Sequence, residues 1–469
     1  MKKYYNTHIH LFHELCAPFG FYGRPLFPFV EKIVYFQKIR RGLIWILEHV
    51  NIFNTFDKAN KLAAMLNIAG HETQEDIFLN LASNYQDFPE MRFCALSIDF
   101  DYMSAGEPLM NYPTQLYELS VLAYKYPKQI LPFVCIDPRR KQGQDLRAFA
   151  KYYIQEKGFV GFKMYPALGY FPFDPALYEF YDYAEKNRIP IITHCDRGGL
   201  YYQGETTSQH LRPRHLKDHP LEIYTRQKFI DDNEKRLERI DGYPAPTRMR
   251  DITHQQGENK RIDLYLKSFK DEEMPRFKDN FTDPAAFREV LKIFPKLKLC
   301  FAHLGGAEEI TKANNNKQSW STEILKLIRT YPNVYADISY TLHDKNTHRF
   351  LFDAIKKKED PKEDTSKKIL FGTDYFLVAR EENETTLVRT FIDELNSCGG
   401  DLFDQIASIN PQQFLFDGKD SDDRDSESPT RKTSPVKPVS PIDVEVVSES
   451  IKAQVKLVLG SIKSLSQSE

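Results

Sequence analysis

From residue 4 to about residue 416, short apolar runs rich in β-branched residues alternate with stretches of helical periodicity. Eight runs have strand character: 4–11, 91–100, 130–137, 159–166, 190–195, 297–304, 334–340 and 369–376. Helix starts are marked between them. Asp174-Pro175 and Asp283-Pro284 each set a capping acid before a proline at the first helical position. Eight strands separated by helices predict an α/β fold, a (β/α)8 TIM barrel over residues 1–417.

Two connections exceed the ordinary loops of such a barrel. Residues 20–90 are aromatic-rich with helical patterning, and residues 196–281 are densely charged with few sustained apolar periods. Both leave the C-terminal end of a strand, where barrel active sites are built, and read as lids or substrate-shaping insertions. Within the first, residues 37–47 read as an insertion helix packed on the barrel; the alternative, a basic amphipathic helix on a membrane surface, suffers from a polar face that is not consistently basic. Residues 418–440 are polar and rich in Pro and Ser, the composition of a disordered linker. Beyond it, in 441–469, Val447, Ile451, Val455, Val458, Ile462 and Leu465 form one apolar stripe of a C-terminal amphipathic helix. Such a stripe needs a surface, and a homo-oligomer or a protein partner is the expectation.

Composition narrows the class. The 64 basic and 66 acidic residues leave a net charge of −2, which argues against nucleic acid as a partner. A hydrophobic fraction of 41% with 34 Phe and 26 Tyr supplies a large core. The six cysteines stand singly with no C-x-x-C pair, which fits a reducing compartment and argues against a Cys-based zinc site. The first residues lack the apolar stretch of a signal peptide, and no run approaches the ~18 apolar residues of a membrane span. The expectation is a cytoplasmic protein.

Candidate chemistry gathers at the strand ends. His8 and His10 close the first run, and residues i and i+2 of a strand share a face, so both imidazoles converge inside a barrel mouth. Alone, an H-x-H pair is weak. The fifth run, however, ends in His194, the sixth in His303 and the eighth in Asp374, and in a parallel barrel these edges form one ring. A hydrogen-bonded core histidine accounts for any one of them but not for the repeated placement. Imidazoles and a carboxylate so arranged suit zinc or a similar divalent metal. Cys195 and Cys300 alternate away from the neighbouring histidines and read as core, and His13 reads as a loop histidine beside the site. No phosphate-binding glycine loop or dinucleotide fingerprint is present.

The segments Asn6-Thr7-His8-Ile9-His10, Gly161-Phe162-Lys163-Met164-Tyr165-Pro166, Ile192-Thr193-His194, Ala302-His303-Leu304-Gly305-Gly306, Phe371-Gly372-Thr373-Asp374-Tyr375 and Asn410-Pro411-Gln412-Gln413-Phe414-Leu415-Phe416 resemble the amidohydrolase superfamily. The resemblance is to its amidohydrolase-related branch, which includes aminocarboxymuconate-semialdehyde decarboxylase. It implies one divalent metal, zinc first, held by His8, His10, His194 and Asp374 with His303 beside it. Asn6 departs from the pattern, because relatives often carry an acid two residues before the first histidine. For Lys163 two readings stand: a carboxylated lysine bridging a second metal, as in other branches, or a lysine that pairs a carboxylate or contacts substrate, which favours one metal. Tyr165 and Arg197 are placed to meet an anionic substrate.

The implied activity is that of a metal-dependent hydrolase acting on a carbonyl-containing small molecule (an amide, lactone or ester) through an activated water. Asp374 would take and return the proton, and His303 would polarise the carbonyl or shuttle a proton. Decarboxylation, a carbon–carbon lyase reaction, uses the same apparatus and stays open. A different class, a non-catalytic barrel scaffold with a partner-binding tail, draws on the insertions and the tail.

Overall fold

Eight apolar runs become eight strands, all parallel and hydrogen-bonded in sequence order. They are β1 Tyr4–Ile9, β2 Met91–Leu96, β3 Ile130–Ile136, β4 Gly161–Met164, β5 Ile191–Thr193, β6 Leu299–Phe301, β7 Val334–Asp337 and β8 Ile369–Leu370. Thr7 N–H donates to Phe371 O and Asp374 N–H to His8 O, which joins β8 to β1 and closes the barrel. This computed structural model describes residues 2–18, 67–71, 73–140, 146–197, 199–204, 281–315 and 319–419. Most of the two long connections, together with the linker and the C-terminal segment, lies outside the described residues. All described residues belong to one contact unit, Met1–Glu427.

Around the barrel run α1 Gln74–Ser83, α2 Tyr112–Lys125, α3 Leu146–Glu156, α4 Tyr178–Lys186, α5 Pro284–Ile293, α6 Ala307–Asn314, α7 Trp320–Thr330, α8 Lys345–Ile355 and α9 Glu384–Ser397, and α10 Asn410–Phe416 follows. The expected acid–proline starts are used. Asp283 accepts from Ala285 N–H to begin α5, and Asp174 accepts from Ala176 N–H in the 3-10 turn that leads into α4. Ser319 and Thr322 cap α7 reciprocally. Among the described residues no helix is long and apolar enough to cross a membrane.

Strand alternation sorts the core into two clusters. Met91, Phe93 and Ala95 of β2 face the helices, while Cys94 and Leu96 face the barrel interior with Tyr5, Phe133, Ile192, Tyr335 and Leu370. The interior cluster is continuous with Phe414, Leu415 and Phe416 of α10, which covers the N-terminal end of the barrel. Phe414 packs on Tyr335 with ring centroids 4.9 Å apart, and Phe416 on Tyr5 at 6.2 Å. Asp417, the left-handed residue that ends α10, pairs with Arg188 and Lys298 below β5 and β6.

The register of β1 matters most for function. Tyr4, Tyr5 and Asn6 pair with Met91, Arg92 and Phe93, but Ile9 pairs with Ala95, so β1 carries one extra residue between Asn6 and Ile9. A bulge of this kind reverses which side chains face inward. Below it Tyr5 points into the barrel; above it Ile9 points out to the helices, and His8 and His10 point in. In a regular strand sharing Tyr5's parity, Thr7 and Ile9 would have faced inward.

Candidate metal centre

Of the groups named from the sequence, His10, His194, His303 and Asp374 sit just past the last ladder residues of their strands, and His8 and Lys163 lie within β1 and β4. Every observed strand is shorter at its C-terminal end than its apolar run. His303 and Asp374 adopt left-handed backbone, φ 64° and 65°, a conformation uncommon outside glycine that turns the two side chains into the mouth. Glycine is required at 372 for contact: a Cβ there would stand 2.8 Å from His8 Cβ, so β8 could not approach β1 closely enough to bring Asp374 to the histidines.

Three ligand atoms converge. His8 Nε2 lies 3.5 Å and His10 Nε2 3.2 Å from Asp374 Oδ1. All three residues are buried, and Asp374 Oδ1 has no hydrogen-bond partner of ordinary geometry among the described residues. The opposite ring nitrogens are occupied. His8 Nδ1 donates to Asp337 Oδ2 at 3.0 Å and His10 Nδ1 to Leu96 O at 2.8 Å, which leaves His10 Nε2 facing the carboxylate and His8 Nε2 between the carboxylate and Lys163 Nζ. Burial lowers the pKa of His8 well below the ordinary range, reinforced by the Lys163 charge, and burial lowers that of His10 against the pull of Asp374. Burial alone would raise the Asp374 carboxyl; the approach of His10, with His8 and His303 beside it, reverses this and lowers it. Two neutral imidazoles and an ionised carboxylate with converging lone pairs fit a divalent cation.

His194 stands outside that triplet. Its Nδ1 faces His303 Nε2 at 3.3 Å, and its ring stacks on Tyr165 at 4.2 Å with the planes 8° apart. His303 Nδ1 donates to Ser339 O at 2.9 Å, which directs His303 Nε2 toward His194. Lys163 is fully buried with Nζ 3.2 Å from His8 Nε2; burial lowers its pKa, opposed by the charges of Asp337 and Asp374. Arg197 is held by Glu309 at 2.5 Å and lies 4.2 Å over Trp320, which aims its guanidinium along the surface of α6 and α7. His13 is turned away, with Nε2 3.1 Å from Glu118. Cys195 is buried core, whereas Cys300 faces the barrel interior beneath the site, 3.9 Å from Asp337.

Asp337 and Ser339 were not singled out from the sequence. The Asp337 carboxylate accepts from His8 Nδ1, from His303 N–H at 2.9 Å, from Ser339 N–H at 3.0 Å and from the Ser339 hydroxyl. One carboxylate at the end of β7 thus fixes a β1 histidine and the β6 turn together. A signal existed: Val334-Tyr335-Ala336-Asp337 is an apolar run ending in an acid, the same pattern that marked the other strand ends.

A family model described as amidohydrolase matches residues 115–416, more than half of the chain. The chain belongs to the amidohydrolase family. It is therefore an enzyme of a metal-dependent superfamily. Among solved structures, this amidohydrolase is similar to an uncharacterised TIM-barrel protein from Bordetella bronchiseptica at 12% identity, covering 88% of this chain and 98% of that one with a TM-score of 0.43. It is also similar to 5-carboxyvanillate decarboxylase from Sphingomonas paucimobilis (11% identity, 88% and 99% coverage, TM-score 0.40). A third likeness is to 2,6-dihydroxybenzoate decarboxylase from Rhizobium (13% identity, 89% and 100% coverage, TM-score 0.39). No curated protein matches the sequence.

Proposed function

We propose that this amidohydrolase hydrolyses a small carbonyl compound, an amide, lactone or ester, at a single divalent metal, zinc by donor preference. The observation that carries the reading is the convergence of His8 Nε2 and His10 Nε2 on Asp374 Oδ1. His8, His10 and Asp374 would hold the cation with His194 as a fourth ligand, and His303 lies beside them, its ring 4.9 Å from that of His8. Bound there, the cation would supply water acidified to a pKa of roughly 7 and a Lewis acid for the carbonyl.

The chain's own groups account for the proton traffic. Asp374, held ionised, accepts the proton of the attacking water as the new carbon–oxygen bond forms. It then returns that proton to the leaving nitrogen or oxygen as the old bond breaks. His303, with Nδ1–H committed to Ser339 O, keeps Nε2 for a substrate oxygen or for exchange with His194. Tyr165, stacked on His194, limits the ring's rotation and excludes water from that side.

Metal analysis of the purified chain should give about one equivalent, and His8→Ala/His10→Ala should abolish it while the circular dichroism is kept. A panel of esters, lactones and amides run beside aromatic carboxylic acids then assigns the reaction, with carbon dioxide measured in parallel. Unchanged metal content in the double variant removes the site. Carbon dioxide release without hydrolysis replaces the hydrolase with a decarboxylase.

A further inference from the structure

Behind the metal centre, on the far side of β1, four buried polar side chains form a closed hydrogen-bond circuit: Asn6, Tyr85, Thr373 and Glu384. The Asn6 amide can be oriented without ambiguity, because its Oδ1 accepts from two backbone N–H groups, Thr373 at 3.1 Å and His8 at 3.3 Å. Its NH2 group must therefore donate, and it does so to Tyr85 Oη at 2.9 Å and to Thr373 Oγ1 at 2.8 Å. Both hydroxyls, having accepted from Asn6, must direct their own hydrogens elsewhere. Both direct them to Glu384 Oε1, Tyr85 at 2.5 Å and Thr373 at 2.8 Å. Every hydroxyl direction follows from the backbone donors at one end and the carboxylate at the other.

The circuit sits where the site's geometry is set. Asn6 is the residue at which the β1 bulge begins, and the His8 N–H it holds belongs to the bulged segment that turns His8 and His10 inward. Thr373, the residue it holds just past β8, immediately precedes Asp374. One amide thus spans the two strands that deliver the converging ligand atoms.

We infer that Asn6 and Glu384 are a matched pair that positions His8 and His10 against Asp374 beyond β8, with Tyr85 and Thr373 as the hydroxyl relay between them. Both are positioning residues, and the inference rests on the metal-site reading above. The pairing is directional. A carboxylate introduced by Asn6→Asp would present an acceptor to two hydroxyls already committed to Glu384, leaving two acids competing for two hydrogens. With Glu384→Gln added, both hydroxyls can reverse: they donate to the introduced carboxylate and accept from the introduced amide NH2. The circuit then closes in the opposite sense.

The test is a double-mutant cycle read by cobalt(II) titration of metal-stripped full-length chain, with the visible ligand-field spectrum as a second readout. Asn6→Asp should weaken cobalt affinity about 10–100-fold and alter the spectrum, the range for loss of a group that orients metal ligands. Glu384→Gln alone should cost less than about threefold, because its amide oxygen can still accept from both hydroxyls. Asn6→Asp/Glu384→Gln should return to within about threefold of Glu384→Gln. Equal cost of Asn6→Asp in both backgrounds, or no effect on affinity or spectrum, overturns the inference. Should Asn6→Asp fail to fold while the double variant folds, the rescue is itself the expected result. Should neither fold, Tyr85→Phe decides: a weaker and spectrally altered cobalt site supports the relay, and an unchanged one overturns it. A wild-type chain that binds no cobalt would count against the metal reading. The melting temperatures of the metal-free proteins would still report whether the two positions are coupled.

Discussion

The two ends of the barrel are built from opposite materials. At the C-terminal mouth the buried groups are ionisable: His8, His10, Lys163, His303, Asp337 and Asp374, each placed by a hydrogen bond, an ion contact or a backbone turn. At the N-terminal floor the cover is apolar, Phe414, Leu415 and Phe416 on the interior cluster, with Arg92 buried in register with Tyr5 and an ion cluster at the rim, Asp417 with Arg188 and the buried Lys298. Burying charge costs free energy that burying rings gains. The floor therefore stabilises the barrel that the mouth strains, and a substitution at one end should be felt in a different observable from a substitution at the other.

The largest expected effect tests the floor. Phe414→Ala empties a fully buried ring site against Tyr335 and should cost ~3–5 kcal/mol of unfolding free energy by denaturant titration. Metal content should stay at wild-type level in the fraction that is folded. A loss below ~1 kcal/mol would mean that α10 is not the closure of the interior cluster. At the mouth, Asp337→Asn should do the reverse. It keeps the shape but weakens the acceptor of His8 Nδ1, and it should lower metal affinity by about 10–100-fold in a competition assay with a chromophoric chelator. The melting temperature of the metal-free chain should change little. A large fall in that temperature with unaltered affinity would make Asp337 a structural residue of the β6–β7 turns and dissolve the contrast.

The sequence was legible where one local pattern decides. Apolar runs located the strands, and acid–proline pairs located helix starts at Asp174 and Asp283. The histidines and the acid that end those runs pointed to one mouth, since parallel strands share an edge. Strand ends were overestimated because an apolar run continues past the point where backbone pairing stops. The β1 bulge left no local signature, although it decides which of Thr7, His8, Ile9 and His10 face inward. Asn6 read from sequence as a departure from a pattern; its partners Tyr85, Thr373 and Glu384 come from three separate elements, and no spacing rule joins them. Arg197 shows the converse. Its position after β5 suggested a substrate contact, and nothing in the sequence joined it to the carboxylate on α6 that holds it.

The smallest effect concerns the rim of the floor, where an ion cluster stands at the apolar end. Asp417 ends α10 in left-handed backbone and faces Arg188, with Oδ2 2.9 Å from its Nε, and Lys298, with Oδ1 2.7 Å from its Nζ. Burial would raise its carboxyl, but the hydrogen bonds and charges of Arg188 and Lys298 prevail and hold it below the ordinary value of 3.8. The sign follows. A depressed acid stabilises the fold above its unfolded value, and that contribution is lost as pH falls through the lower folded value, so the window lies below about pH 4. Asp417→Asn keeps a residue tolerant of left-handed backbone and removes only the charge. Its unfolding free energy should fall at pH 7 by only about 1 kcal/mol, because Asp417 and Arg188 are partly exposed and screened even though Lys298 is buried. Salt should shrink the difference, and the two proteins should converge as the acid limb is approached. A gap that persists unchanged to the lowest pH at which both remain folded would mean that the asparagine disturbs the helix end itself. The floor would then depend on the shape of its last residue rather than on the ion pairs at its rim.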